Sequence, residues 1–209
     1  MAEHHETLVM LGNGPSWTGG IKLAEQHGYE CWGINYMNET VPHILTMGFQ
    51  MHGDHFIKAR FKDHYKNYPW KVPLVMWHTW AEFPTSVAFP IRDYQDCFGL
   101  ERPYFACTMS FMLSLAIMMG RFKKIHIYGV DFYYELKHEF AYERPNFEFY
   151  MGWAMAKGIQ LDLPENTRLM TTCDNLRQVY GREWNPPLTP AELDAVFDNP
   201  VVDGVLKIN

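Results

Sequence analysis

The sequence predicts an α/β fold in which a Rossmann-like parallel sheet is flanked by helices, as a single domain with a long aromatic loop or lid. Two patterns support this prediction. Short apolar segments typical of buried strands alternate with helical segments along the chain. The first apolar run, Thr7 to Leu11, enters a glycine-containing turn. A later run ends at Gly129 and Asp131, the strand end at which open parallel sheets bind ligands.

Length and composition limit the domain organisation and the partners. The chain has 209 residues, 47% hydrophobic and 16% aromatic, which suits one domain over 1–209 with a flexible start at about 1–6 and a C-terminal extension at 185–209. The formal net charge of −6 argues against broad binding to nucleic acid or anionic membranes, because such binding requires clustered Lys and Arg. The basic stretch 58–71 is the exception.

The cysteines and the N-terminus favour a cytoplasmic protein. The four cysteines are widely spaced without a CxxC pair, which argues against a zinc knuckle or a disulfide framework. The first residues lack the order of a secretion signal, and no apolar run approaches the roughly 20 residues that span a bilayer. We therefore expect a soluble intracellular protein.

The order of elements follows from the apolar runs and the residues that interrupt them. Strands are predicted at 7–11, 30–35, 43–47 together with 49–52, 72–77, 124–131 and 159–163. Helices are predicted at 21–27, 108–119 and 146–157, and a C-terminal helix is predicted to begin at Thr189. The stretch 79–102 is interpreted as a long loop with a short helix around 92–98.

Candidate ligand-binding residues follow the first two predicted strands. The first strand ends in the turn Gly12-Asn13-Gly14-Pro15-Ser16, where glycines permit close approach of a ligand and a helix N-terminus offers amide donors to phosphate. The alternative is an ordinary strand-to-helix turn. Asn35 ends the second strand, and its amide suits a sugar hydroxyl or a base edge as well as it suits a turn.

Two further groups contain chemically versatile side chains. His52, Asp54 and His55 could bring two imidazoles and a carboxylate toward one cation, although their spacing matches no established zinc pattern; the alternative is a strand-end loop that faces the cleft. The second group follows the strand that ends at Asp131, where tyrosine hydroxyls could hold a phosphate and His or Asp could act as general base, or the aromatic rings could simply pack a lid. Its members are Asp131, Tyr133, Tyr134, His138 and Tyr142. His126, inside a buried strand, is interpreted as a core histidine.

Three segments together resemble a known superfamily. They are 11–16 (LGNGPS), 107–120 (CTMSFMLSLAIMMG) and 125–133 (IHIYGVDFY). They are similar to the Rossmann-like superfamily that includes bacterial lipooligosaccharide sialyltransferases and archaeal 6-hydroxymethylpterin diphosphokinases. The stretch 142–150, with 158–159 and 163–164, resembles uncharacterised bacteriophage members, which implies a host-cytoplasmic location.

The resemblance to the sialyltransferases implies a nucleotide-sugar donor and no required metal. It implicates Asn13, Gly14, Asn35, Thr108 and Tyr133 in binding a cytidine nucleotide, with Tyr142 a looser match to a second phosphate-holding tyrosine. The segment 107–109 replaces the Thr-Ser-Gly turn of the family. His138 is the nearest candidate for the family's catalytic histidine.

Two other functions stay open at this point. A diphosphokinase would need Mg²⁺ and clustered aspartates, for which Asp54 and Asp131 are the available pair. A non-catalytic phage protein would bind a nucleotide, or a host protein through aromatic side chains around Trp77, Trp80 and Phe83. The aromatic residues of 65–89 could equally form a homo-oligomer interface or the lid. The acceptor of any transfer is not indicated.

Overall fold

A computed structural model describes residues 6–132, 142–165 and 167–170. These residues belong to one compact unit that ends at Met170. The predicted C-terminal helix at Thr189, the extension 185–209, and the candidate residues Tyr133 and His138 lie outside the described residues. Within the described part, no helix combines the length and the apolar character needed to cross a membrane.

Seven strands form one parallel sheet in the order β5-β4-β3-β2-β1-β6-β7, which confirms the predicted fold class. The strands are β1 (Thr7–Leu11), β2 (Glu30–Ile34), β3 (Met47–Phe49), β4 (Leu74–Met76), β5 (Ser86–Ala88), β6 (Lys124–Tyr128) and β7 (Gln160–Asp162). The helices are α1 (Trp17–His27), α2 (Met37–Thr40), α3 (Asp54–Phe56), α4 (Lys62–Asn67), α5 (Ile91–Phe98), α6 (Thr108–Met119) and α7 (Arg144–Ala156), and a π-helical turn (Ile57–Phe61) joins α3 to α4.

Helices cover both faces of the sheet. All five residues of β1 are buried, as expected for a central parallel strand, and alternate residues point to opposite faces. Leu8 and Met10 pack in the cluster that includes α5, α6 and α7. Val9 and Leu11 pack in the cluster that includes α1 and the helical run 54–67. The described part of the chain is therefore a three-layer α/β/α structure with a core on each side of the sheet.

The sheet has a topological switch point between β1 and β6. From β1 the chain adds β2, β3, β4 and β5 outward in one direction, and β6 then pairs with the other side of β1. In sheets of this kind a crevice opens outside the carboxyl ends of the two central strands. The glycine-containing turn after β1 and the residues after β6 lie at that crevice.

Several sequence predictions of local structure were wrong. Residues 43–46 are not a strand, because Thr46 bonds back to Cys31 through its backbone N and its hydroxyl, and only Met47–Phe49 joins the sheet. The predicted loop 79–102 contains the edge strand β5, which has only three residues, none of them buried. The helical run 54–67 was missed, and its basic side chains lie on the outer face while Ile57, Phe61 and Tyr65 are buried.

The aromatic stretch 65–89 is mostly core. Tyr65, Phe83 and Phe89 are buried and pack against other rings, so they cannot serve as exposed anchors of a subunit interface or a lid. Tyr68 and Trp77 are the aromatic residues of this stretch that remain exposed. The predicted aromatic interface therefore loses most of its anchors.

Candidate functional site

A cavity of about 670 Å³ opens at the switch point, outside the carboxyl ends of the central strands. It is lined by Gly12, Asn13, Gly14, Pro15, Ile34, Asn35, Met51, His52, Trp77, Pro103, Phe105, Ala106, Cys107, Thr108, Met109, Phe111, Gly129, Val130, Asp131, Phe132 and Glu143. Six of the seven residues predicted to bind a nucleotide are in this set; Ser16 is not. The fold thus brings these six residues to one concave surface.

One side of the cavity, which we call the glycine wall, consists of the turn 12–16 packed against residues 128–131. Gly12 N donates to Tyr128 O (2.8 Å), and Gly14 N donates to Gly129 O (2.7 Å). A Cβ on Gly12 would lie 2.3 Å from Gly129 O, and a Cβ on Gly129 would lie 2.2 Å from Gly12 O. These glycines are therefore required for the close approach of two backbone segments to each other.

Ser16 and Asp131 join the two segments of the glycine wall. The Ser16 N–H donates to Asp131 Oδ2 at 2.9 Å, and the Ser16 hydroxyl donates to Asp131 Oδ1 at 2.5 Å. The Gly129 N–H donates in turn to Ser16 Oγ at 2.7 Å. Asp131 is buried, with 3% of its surface exposed. Both of its oxygens are occupied at the N-terminus of α1, so the geometry gives Asp131 a structural role rather than the catalytic role that its position suggested.

The amino end of α6 forms the roof of the cavity. Cys107 precedes the helix in an extended conformation, and Thr108 and Met109 are its first residues. The first backbone N–H groups of a helix have no intrahelical partner, so this end offers donors and a partial positive charge to an anion. Burial raises the pKa of the Cys107 thiol, which keeps it neutral and poorly nucleophilic.

Asn146, a buried residue of α7, holds in place the segment that leads into the amino end of α6. Asn146 Oδ1 accepts from Ala106 N (2.8 Å) and from Ser110 Oγ (2.6 Å). Asn146 Nδ2 donates to Tyr104 O (3.0 Å). One side chain thus positions the segment that enters α6. Asn146 was not singled out from the sequence, because it stands at the start of a helix whose position in space only the fold reveals.

The opposite side, which we call the histidine wall, consists of Asn35, residues 50–52 and Trp77. Asn35 has a left-handed backbone (φ 53°), and its Oδ1 is buried without a hydrogen-bond partner among the described residues. Gln50 is completely buried, and its Nε2 likewise has no partner in the described part of the chain. The histidine wall therefore contains two buried polar atoms without a partner among the described residues, although Gln50 itself does not line the cavity. The polar groups of the glycine wall, by contrast, bond to one another.

His52 is held in a defined orientation on this wall. Its Nδ1 lies 2.5 Å from Gln50 Oε1, and its ring stacks on Phe56 with centroids 4.1 Å apart. Because an amide oxygen only accepts hydrogen bonds, Nδ1 carries the proton and Nε2 of the neutral ring keeps its lone pair. Burial lowers the pKa of His52, which favours this neutral form near pH 7.

Trp77 borders the cavity beside His52. Its indole Nε1 donates to Met51 O at 2.9 Å, and its ring meets Phe111 edge-on with centroids 4.9 Å apart. The side chain is nevertheless 43% exposed. A fixed, exposed indole at the edge of a cavity is a stacking surface for a planar or ring-shaped ligand. The sequence predicted Trp77 at the end of a strand, but as one of the aromatic side chains of a partner-binding surface and not as part of this cavity.

Other predicted site residues are not brought to the cavity. Tyr142 is 70% exposed and does not line it. Asp54 pairs with His78 (Oδ1 to Nε2, 2.9 Å), while His52 bonds to Gln50, so the proposed cation ligands do not converge. Among the described residues, no group of three His, Cys, Asp or Glu side chains could hold a metal ion. His126 is buried in β6, as expected of a core histidine.

Comparison with known proteins extends the result on the fold. No protein-family model matches the sequence, and no curated protein shows significant sequence similarity to it. Among solved structures, the chain is similar to an X-ray structure of a mutant of CstII, an α-2,3/8-sialyltransferase. The TM-score is 0.51, with 16% sequence identity, over 75% of this chain and 80% of that chain. The two proteins share the Rossmann-like α/β fold.

Proposed function

We propose that the protein is a glycosyltransferase that uses a nucleotide-sugar donor. The observation that carries this proposal is the position of the 670 Å³ cavity at the switch point between β1 and β6. Doubly wound sheets bind nucleotides at such points. Pockets of about 300–1,000 Å³ accept small ligands, a range that fits a nucleotide with one attached sugar.

The donor phosphate is proposed to lie at the amino end of α6. There the backbone N–H group of Thr108 is available to an anion, and the Thr108 hydroxyl adds a side-chain donor. Asn13 and Asn35 line the cavity on its two sides and offer amide groups to the nucleoside. These are the residues that the sequence resemblance implicates. The structural likeness to a sialyltransferase agrees in reaction class.

The charges around the cavity favour a donor with little negative charge. The described residues that line it include the carboxylates Asp131 and Glu143 but no Lys or Arg. A triphosphate would need cations to offset its charge at such a site. The diphosphokinase alternative also loses its aspartate pair, because Asp54 pairs with His78 and does not line the cavity. We therefore favour a nucleoside monophosphate linked to a sugar.

The test begins with ligand binding. Purified protein is screened by thermal shift against CMP, UDP, GDP, ADP, ATP, CMP-sialic acid and UDP-glucose, with Mg²⁺ and with EDTA. A ligand at 100 times its Kd should stabilise the protein by about 2.7 kcal/mol. The variant Asn13→Ala, which removes an exposed side chain at the cavity, should weaken the shift. Its control is Asn67→Ala, which removes an exposed asparagine on α4.

The second stage measures release of free nucleotide from the nucleotide-sugar that gives the largest shift. Multiple turnovers, independent of metal and sensitive to Asn13→Ala, are expected. A thermal shift with ATP alone that requires Mg²⁺ would instead support the diphosphokinase alternative. Tight binding of a nucleotide-sugar without any turnover, even with candidate sugar acceptors, would support a non-catalytic binding protein. If none of these ligands shifts the melting temperature, the proposal fails.

A further inference from the structure

The geometry points to His52 as the general base that accepts the proton of the acceptor hydroxyl, with Gln50 as its positioning residue and Trp77 as the surface on which the acceptor ring stacks. This inference rests on the proposed glycosyl transfer and names the acceptor side of the same cavity. The acceptor that fits an exposed indole beside an imidazole is a sugar ring, or an aromatic ring that bears a hydroxyl group.

The titratable side chains of the cavity can be compared one by one. Among the described lining residues they are His52, Cys107, Asp131 and Glu143. Burial keeps the Cys107 thiol protonated, and Asp131 uses both oxygens to accept from Ser16. Glu143 already interacts with other protein groups. His52 also lines the cavity, and because its Nδ1 bonds to Gln50, its Nε2 is the ring nitrogen without a hydrogen-bond partner among the described residues.

Gln50 determines which nitrogen of the His52 ring carries the proton. Its Oε1 receives both donors of His52, the ring Nδ1–H at 2.5 Å and the backbone N–H at 3.5 Å. Its own backbone N donates to Val75 O at 2.9 Å, within the strand pairing of β3 and β4. A fully buried glutamine held by the sheet thus selects the tautomer with an unprotonated Nε2. An isolated surface histidine would not have its tautomer set in this way.

The charged groups around His52 do not oppose this role. Asp54 and His55 follow it on α3, and Asp54 is paired with His78. Cys107, Asp131 and Glu143 lie on other parts of the cavity lining. The cause of the lowered pKa of His52 is burial alone, so none of these groups holds the ring protonated. The neutral ring can therefore accept a proton near pH 7.

The step balances as a single displacement. The acceptor oxygen forms a bond to the anomeric carbon of the donor sugar, and its proton passes to His52 Nε2. The bond between the anomeric carbon and the phosphate oxygen breaks, and its electron pair leaves with the nucleotide phosphate. With water as the acceptor the same step is donor hydrolysis, which needs no knowledge of the natural acceptor.

The experiment compares hydrolysis of the best-binding nucleotide-sugar by the wild type, His52→Gln and Glu143→Gln across pH 5 to 9. In the wild type we expect the rate to fall at acid pH as His52 becomes protonated. His52→Gln should lower kcat by a factor of about 10²–10⁴ and abolish that fall, while the nucleotide thermal shift stays unchanged. Gln50→Glu should move the fall to higher pH, because a carboxylate beside Nδ1 favours the imidazolium.

The outcomes separate this inference from the proposed function. If Glu143→Gln loses turnover and His52→Gln keeps it, the base is Glu143; the transferase proposal then stands and the assignment of His52 is overturned. The same holds if His52→Gln weakens donor binding without lowering kcat. Nitrogen NMR of the histidine rings gives a readout without turnover, since the proton of neutral His52 must lie on Nδ1. A proton on Nε2 overturns the assignment even if no donor is hydrolysed.

Discussion

The two walls of the cavity satisfy their polar groups in opposite ways. On the glycine wall, backbone meets backbone at distances that exclude a Cβ, and Ser16, Gly129 and Asp131 bond to one another. On the histidine wall, Asn35 and Gln50 each bury a polar atom that has no partner among the described residues. Buried polar groups without partners are costly, and they persist most often where function requires them.

The difference distinguishes the residues of this site that support the structure from those that bind a ligand or take part in turnover. Residues of the glycine wall should affect stability when changed, because their partners lie within the protein. Residues of the histidine wall should affect binding or turnover with little change in stability. Gly-rich turns are usually interpreted as ligand loops, yet here the glycines face another strand end as well as the cavity. Mutations on the two walls can test this division.

The largest effect is expected for Gly129→Ala. The new Cβ would lie 2.2 Å from Gly12 O, and the backbone there is left-handed with φ 69°. Overpacking and left-handed strain together should lower the free energy of unfolding by about 3 kcal/mol or more. Urea denaturation followed by circular dichroism measures this change.

Its control is Gly152→Ala on α7, where a Cβ would meet nothing within 4 Å. That variant should gain about 0.5–1 kcal/mol, because alanine is the better residue in a helix interior. Equal stability of the two variants would remove the evidence that the glycine wall is tightly packed.

The next largest effect is expected for Ser16→Ala. It leaves the Gly129 N–H and one oxygen of Asp131 without their partner, which should cost about 2 kcal/mol. The double variant Ser16→Ala with Asp131→Asn should cost less than the sum of the two single variants, since the residues act as a unit. Additive losses in urea denaturation would show that the network does not join the two segments.

The sequence predicted the glycine wall better than the histidine wall for a physical reason. Gly12 and Gly14 follow a buried strand directly, and Asp131 ends another, so local pattern places them at the sheet edge. Gln50 follows β3 and Trp77 follows β4, and the strand pairing that brings these two ends together joins residues far apart in the chain, which no local pattern encodes. Asn146 is effective only because α7 packs beside α6, a contact that no local pattern encodes.

A pH-dependent effect is expected from His126 on β6, behind the glycine wall. Burial lowers the pKa of His126, although Asp162 Oδ2, 2.6 Å from Nδ1, acts in the opposite direction. The folded state therefore binds fewer protons than the unfolded state, so its contribution to stability is full above about pH 6.5 and is lost as the pH falls through the lower folded pKa. His126→Leu should flatten the loss of melting temperature between pH 7 and pH 5.

Asp162→Asn provides the matching test for His126. Removing the carboxylate leaves burial unopposed, so the pKa of His126 should fall further and the loss of stability on acidification should steepen. If Asp162→Asn leaves the loss unchanged, the carboxylate does not act on the pKa of His126.

A smaller effect, with the opposite sign to that on the glycine wall, is expected for Asn35→Gly. Glycine adopts φ 53° without strain, and the change removes a buried oxygen that has no partner among the described residues. Stability should stay the same or rise by up to about 1 kcal/mol. The thermal shift produced by the nucleotide should become smaller. A loss of stability comparable to that of Ser16→Ala would mean that the two walls do not differ in kind.

The smallest effect is expected for His78→Gln, just beyond the histidine wall. A hydrogen bond from the His78 ring to the backbone oxygen of Thr79, and then the contact with Asp54, raise the pKa of His78. Its stabilisation is therefore present below about pH 6.5 and is lost as the pH rises through the raised folded pKa. Because the pair is exposed, the variant should lose only about 0.5 kcal/mol at pH 5.5 and nothing at pH 8.5. Acidification would then reduce the contribution of His126 to stability and increase that of His78. Equal slopes of stability against pH for the His126 and His78 variants would contradict the opposite pKa shifts of these two histidines.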